Sequence, residues 1–198
     1  MFRFYVFKRL LEDICEANEP GKAVLLATGA FAPIHRGHLD MFRQAREYLE
    51  SQGHEIVGGY ISPKHDEYVK SKLRPGEPFF NIDQRIGMIN QAINNAGMDW
   101  IKVFDWESRQ NSPRNKSEVV SKIRQMHPDI NVMFVCGEDN CSLEKYPGIA
   151  NQGGFQWVAT PRDGFSSTRV RNALQSKDQK ELDLLLHPDV KKTLTNPL

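Results

Sequence analysis

Five short apolar runs, each set among stretches with the apolar spacing of a helix, constrain this chain more than any other feature. The runs are residues 23–28, 56–61, 100–104, 131–136 and 155–159. Each suits a strand buried on both faces and is too short for a stable helix. Helical patterns fall at 4–17, 37–51, 82–95, 116–126, 167–175 and 178–194, the last broken at Pro188. Over 37–51, for example, Leu39, Phe42, Ala45 and Leu49 recur on one helical face. Strands alternating with helices predict an α/β fold: a doubly wound parallel sheet of about five strands with helices on both faces. A chain of 198 residues suits a single domain of this kind, 1–198, with residues 1–21 as an N-terminal helical extension. In such sheets ligands bind beyond the carboxyl ends of the strands, near the switch point. The polar connections 62–81 and 105–115 lie at those ends, where specificity is expected.

The first of those ends carries the densest chemistry. Gly29-Ala30-Phe31-Ala32-Pro33-Ile34-His35-Arg36-Gly37-His38 places two histidines three apart where a strand becomes a helix. A helix start offers unpaired N–H groups and a partial positive charge, and glycines let a phosphate approach the backbone. A His-x-x-His pair also suggests a metal, but zinc needs three or four ligands. His54, His65, His127 and His187 stand at no ligand-like spacing, so no protein-held metal is expected. A second helix start, Ser166-Ser167-Thr168-Arg169-Val170-Arg171, has two readings. It is either a helix with good capping residues or a second phosphate grip, with Arg171 one turn along to deliver a forked cation.

Charge excludes one class of partner. Lys plus Arg number 26 against 25 Asp plus Glu, a formal charge of +1, so there is no field for wrapping nucleic acid. Three cysteines, Cys15, Cys136 and Cys141, lack metal-like pairing and read as thiols of a reduced, intracellular protein, cytoplasmic or nuclear. Arg3, Lys8 and Arg9 interrupt the aromatic start and no small-residue cleavage site follows, so no secretory signal is expected. No apolar run approaches a membrane span, and no membrane partner is expected. Oligomeric state is left open; Phe2, Phe4, Tyr5 and Phe7 suit either a core or an interface.

The decapeptide 29–38 matches the G-x-F-x-P-x-H-x-G-H signature of the (H/T)-x-G-H nucleotidyltransferase superfamily, and 166–171 resembles its second signature, S-S-T-x-x-R. Four further segments are similar to the nicotinamide/nicotinate mononucleotide adenylyltransferase branch. Tyr60-Ile61-Ser62-Pro63-Lys64-His65-Asp66-Glu67-Tyr68-Val69-Lys70 resembles its Ile-Ser-Pro…Asp-x-Tyr-x-Lys, and Arg85 matches the Arg opening its next helix. Asp105-Trp106-Glu107-Ser108 resembles its Trp-Glu-Ser, and Cys136-Gly137-Glu138-Asp139 its Cys-Gly-x-Asp. The resemblance spans most of residues 22–192. It implies a Rossmann-like fold and an enzyme that joins ATP and a pyridine mononucleotide, releasing pyrophosphate.

The same resemblance assigns roles. His35, His38 and Arg171 would be catalytic. Gly29, Phe31, His38, Gly137, Asp139, Ser167, Thr168 and Arg171 would bind ATP, and Lys70, Arg85 and Trp106 the acceptor, with Trp106 stacked on the pyridine. Mg²⁺ would arrive with ATP, held mostly by phosphate and water. Each position also has a plain use: Trp106 as a core aromatic, Lys64, Lys70, Lys72 and Arg74 as a solvated basic loop, Asp139 as a cap, Arg85 in a surface ion pair. The chain departs from the family twice. His35 stands where eukaryotic-type members carry Thr, and residues 140–165 leave room for one strand where the family has two. Alternatives are a relative acting on another phosphorylated acceptor, such as pantetheine phosphate, and a non-catalytic nucleotide-binding relative.

Overall fold

The computed structural model describes residues 20–137, 148–152, 155–161 and 164–196. The expected helix at 4–17, Asp139 and Cys141 lie outside the described residues. The described chain runs β1 (Lys22–Gly29), α1 (Arg36–Ser51), β2 (Glu55–Pro63), α2 (Asp66–Lys70), α3 (Ile82–Ala96), β3 (Ile101–Val103), α4 (Lys116–Met126), β4 (Asn131–Gly137), β5 (Gly148–Gln152), β6 (Phe155–Thr160), α5 (Ser167–Ser176), α6 (Gln179–Leu185) and α7 (Pro188–Thr195). All five expected strands are present, and they pair in parallel in the order β3-β2-β1-β4-β6.

Two elements differ from the sequence expectation. β5 is a sixth strand, antiparallel to β6 on the sheet edge. The segment between Asp139 and Ser166 therefore holds two strands rather than one. An edge strand pairs on one side only, so it needs no continuous apolar run, and Gly148-Ile149-Ala150-Asn151-Gln152 has none. The short helix α2 interrupts the 62–81 connection; His65 caps it by accepting from the Glu67 N–H at 3.2 Å.

Strand residues alternate between two cores because successive side chains point to opposite faces. Leu25, Ala27, Met133, Val135 and Val158 join α1, α3, α5, α6 and α7 on one face. Val24, Leu26, Phe134, Cys136, Trp157 and Ala159 face α4 on the other. A register shift after Ala23 lets Val57 bulge outward, 42% exposed, without moving either core out of phase. The helix ends follow local chemistry. Asn81 and Asn115 open α3 and α4 with reciprocal capping boxes to Gln84 and Glu118, and Gly97 closes α3 at φ 62°. No helix among the described residues is long and apolar enough to cross a membrane. β1 and β4 are adjacent, with β2 and β3 on one side and β6 and β5 on the other, so the switch point lies between their carboxyl ends.

Candidate active site

A cavity of about 190 Å³ opens at that switch point. Its wall takes Thr28 and Gly29 from β1, His35 and His38 from α1 and the turn before it, Gly137 from β4 and Thr160 from β6. A larger hollow of about 550 Å³ against α3 and α7, walled by Phe80, Met88, Leu174 and Leu194, has no titratable side chain on its lining. The chemistry is therefore concentrated in the smaller one.

Local geometry sets the histidines. His35 is the N-cap of α1 and His38 its third residue; their rings stack at 3.7 Å between centroids, and the His35 backbone N–H donates to His38 Nδ1 at 3.2 Å. An Nδ1 that accepts carries no proton, so a neutral His38 holds its hydrogen on Nε2. That makes Nε2 a donor. Phe31, at φ 45°, packs edge-on against His38 at 4.9 Å. Its ring passes over Gly29, where a Cβ would stand 3.3 Å from Phe31 Cζ. Gly37 is required more strictly, because a Cβ there would meet Phe165 Cβ at 2.6 Å.

The second signature is bolted to the first. Ser167 Oγ donates to Pro33 O at 2.9 Å and Arg171 Nη1 to Ala32 O at 2.9 Å, across more than 130 residues of chain. Arg171 Nη2 donates to Thr168 Oγ1 at 3.1 Å, and Nε faces Glu77 Oε1 at 3.2 Å. The Glu77 carboxyl is held below its ordinary range, first by the Arg74 backbone N–H and then by Arg171. Ser166 supplies the cap of α5, accepting from Arg169 N–H at 3.1 Å. The capping reading of this segment is thus seen directly, and the capped helix start sits against the histidine turn.

The structure divides the expected site residues. Gly29, Phe31, His35, His38 and Gly137 line the cavity. Ser167, Thr168 and Arg171 lie directly behind the 32–33 backbone and are not on the lining. Lys70 is exposed, with its ammonium 4.9 Å over the Phe79 ring. Trp106 stacks on Phe104 at 6.5 Å and packs against the α4-side core, so its plain use as a packing aromatic is visible.

Arg85 is neither an exposed ion pair nor a cavity cation. It is fully buried. Nη1 donates to Ala30 O at 2.8 Å, Nη2 to Lys64 O and to Asp66 Oδ1 at 2.7 Å each, and Nε to Phe80 O at 3.2 Å. Burial pulls its pKa down, opposed by Asp66 and Glu107. The loops after β1 and β2 are thus tied to one guanidinium. Glu107 does the same for the loop after β3: fully buried, it pairs with Lys64 and accepts from Ser62 Oγ at 2.9 Å. Burial pushes its carboxyl up, and Lys64 and Ser62 oppose that.

Two residues at the cavity were not singled out from sequence. Trp157 of β6 stacks on Phe134 at 4.9 Å, and the Lys116 ammonium lies 4.5 Å over the Trp157 ring. Burial, then the nearby Lys64 charge, lowers the Lys116 pKa. Their signal was weak: an alternate-face residue in a strand and the first residue of a helix. Cys136 also departs from the thiol reading, because it is disulfide-bonded; pairing depends on Cα separation in the fold, which chain spacing does not reveal.

Residues 26–173 match the cytidylyltransferase-like family. The chain belongs to that family. Among curated relatives, nicotinamide/nicotinic acid mononucleotide adenylyltransferase 2 of Danio rerio is 37% identical over 110 residues, 55% of this chain and 34% of that protein. Nicotinamide/nicotinic acid mononucleotide adenylyltransferase of Oryza sativa subsp. japonica is 32% identical over 142 residues, 68% of this chain and 54% of that protein. The chain thus spans between about a third and about half the length of these relatives. Plasmodium falciparum nicotinic acid mononucleotide adenylyltransferase complexed with NaAD shares the fold, with a TM-score of 0.60 at 16% identity, over 88% of this chain and 95% of that one.

Proposed function

We propose that this cytidylyltransferase-like chain joins ATP to nicotinamide or nicotinate mononucleotide and releases pyrophosphate. One observation carries the reading: the two signature segments, far apart in sequence, meet at the switch point, with Ser167 and Arg171 bonded to the backbone that presents His35 and His38. A phosphate oxygen of the acceptor attacks the α-phosphorus of ATP in line. The new P–O bond forms as the α–β bridge breaks, and pyrophosphate leaves with the electron pair. The attacking phosphate is already ionised, so the chain needs no nucleophile of its own; positioning and charge stabilisation carry the rate.

Roles follow from the donors. His38 Nε2 donates to a phosphate oxygen near the α-phosphorus, and His35, stacked on it, holds the ring plane and contributes to the same phosphates. Gly29, Phe31 and Gly137 form the backbone-lined floor for ATP. Ser167 and Arg171 fasten the turn at 32–33 from behind and Thr168 accepts from Arg171; the family resemblance gives these three the leaving pyrophosphate and Asp139 the ribose. Lys70 and Trp106 act on the acceptor, and Arg85 acts on it through the loops it fastens. Mg²⁺ supplies charge neutralisation when bound. Among the described residues no group of three metal-ligating side chains stands together.

Purified protein is tested with ATP, Mg²⁺ and, in parallel, nicotinamide mononucleotide, nicotinate mononucleotide and 4′-phosphopantetheine, following pyrophosphate and the dinucleotide product. Release with a pyridine mononucleotide and formation of its dinucleotide upholds the reading. Release with 4′-phosphopantetheine alone keeps the chemistry and moves the acceptor. Silence with all three overturns it.

A further inference from the structure

Lys116 is the only lysine or arginine on the cavity wall among the described residues. Its ammonium rests 4.5 Å from the Trp157 ring centroid and 5.9 Å from that of Phe134, and no carboxylate or carbonyl among the described residues takes it. The nearby Lys64 differs, because Glu107 neutralises it. Lys70, which the family resemblance assigns to the acceptor phosphate, points over Phe79 and is not on the wall. The cavity wall therefore carries two histidines, the Asp40 carboxylate, which Arg43 pairs, and the Lys116 ammonium, which rests on the Phe134–Trp157 aromatic pair.

We infer that Lys116 binds an anionic oxygen of the acceptor mononucleotide, either its phosphate or the carboxylate of a nicotinate ring. The inference rests on the proposed reaction for the identity of the acceptor, and on the cavity alone for the anion. A cation resting on an aromatic face makes a weaker contact than a charge-assisted hydrogen bond to an oxyanion. A bound anion thus draws the ammonium off the rings. The burial and the Lys64 charge that lower its pKa act in the same direction, since an anion relieves both. Lysine suits the task because its flexible stem carries a point charge to whichever oxygen is presented.

Trp157 provides a readout that a structural role would not move. The full chain and its Lys116→Gln and Lys116→Arg variants are titrated with inorganic pyrophosphate, nicotinamide mononucleotide and nicotinate mononucleotide, following indole emission, with Trp157→Phe as the control for Trp100 and Trp106. KM for ATP and for each acceptor is measured alongside thermal unfolding. Lys116→Gln is expected to weaken acceptor binding by about tenfold or more, with KM for ATP and the unfolding midpoint unchanged, and Lys116→Arg to restore most of it. Equal loss for both mononucleotides assigns the contact to phosphate; loss confined to nicotinate mononucleotide assigns it to the ring carboxylate.

Unchanged acceptor binding in Lys116→Gln overturns the inference, as does an effect on ATP alone. If neither pyridine mononucleotide turns over, the proposed reaction has failed, yet pyrophosphate binding that disappears in Lys116→Gln still upholds the anion site. In that case pyrophosphate binding of equal strength in the parent and the Gln variant overturns it, as does no binding of any of the three probes to the parent.

Discussion

The capping bond of His38 and its proposed role toward phosphate use different ring nitrogens, and they can be separated. Nδ1 accepts the His35 N–H, so in the neutral ring the proton lies on Nε2. His38→Ala is expected to lower kcat by about 10²–10³, the usual effect of removing one donor from a transition-state oxyanion. It also removes the cap bond, at about 1 kcal/mol. His38→Asn keeps an acceptor near the cap, so stability measured by thermal melting should recover more than turnover. A variant with near-parent kcat in either case would show that His38 is not in the chemistry. Gly37 makes a different kind of demand. The atom its Cβ would strike, Phe165 Cβ, is fixed to the backbone and cannot rotate away. Gly37→Ala should therefore destabilise by about 1–3 kcal/mol, read as a lower denaturant midpoint with unchanged m-value. A midpoint equal to the parent's would refute the close packing of α1 against the 164–166 turn.

The site depends on loops more than on helices or strands, and the loops depend on buried charges. Arg85 satisfies three carbonyls and one carboxylate from three separate segments. An exposed ion pair would contribute under about 1 kcal/mol, whereas removing one partner of a buried, hydrogen-bonded pair costs about 3–5 kcal/mol. Arg85→Met is expected to fall in the second range in urea unfolding. Arg85→Lys should recover little, because one ammonium cannot reproduce a planar fork to four acceptors. A loss under 1 kcal/mol would return Arg85 to the surface-pair reading. Glu107, Lys64 and Ser62 form the matching clasp between the β2 and β3 loops. So the Ile-Ser-Pro and Trp-Glu-Ser segments owe part of their sequence to holding the rim in shape. Glu77 adds a third tie, from the 71–81 connection to Arg171 on α5.

At the scale of the molecule, a buried histidine at the start of the last helix feels the charges of α1. His187, the N-cap of α7, has its pKa pushed down by burial first and by Arg36 and Arg43 second, with Asp40 opposing. The unfolded chain then binds the proton more readily than the folded one. Stability from this group is complete above the ordinary histidine value of about 6.5 and is lost as pH falls from there toward the lowered folded value. Melting curves between pH 7.5 and pH 5 should show a decline in midpoint that His187→Gln flattens. The same slope in both proteins would assign the acid sensitivity elsewhere. Much of this architecture was already legible in the chain. Periodicity located five strands and the described helices other than α2 to within a residue or two at most ends, because strand and helix periods are properties of neighbouring residues. Six matched positions in ten marked the histidine turn, since a phosphate-binding helix start is also local. Contacts between distant residues were not legible. Whether Arg85 was exposed or buried, whether Lys70 or Lys116 reached the cavity, and that β5 pairs antiparallel on the edge were decided when segments tens of residues apart packed together. Burial and partner choice belong to that packing, and a side chain's neighbours in space leave no period in the sequence.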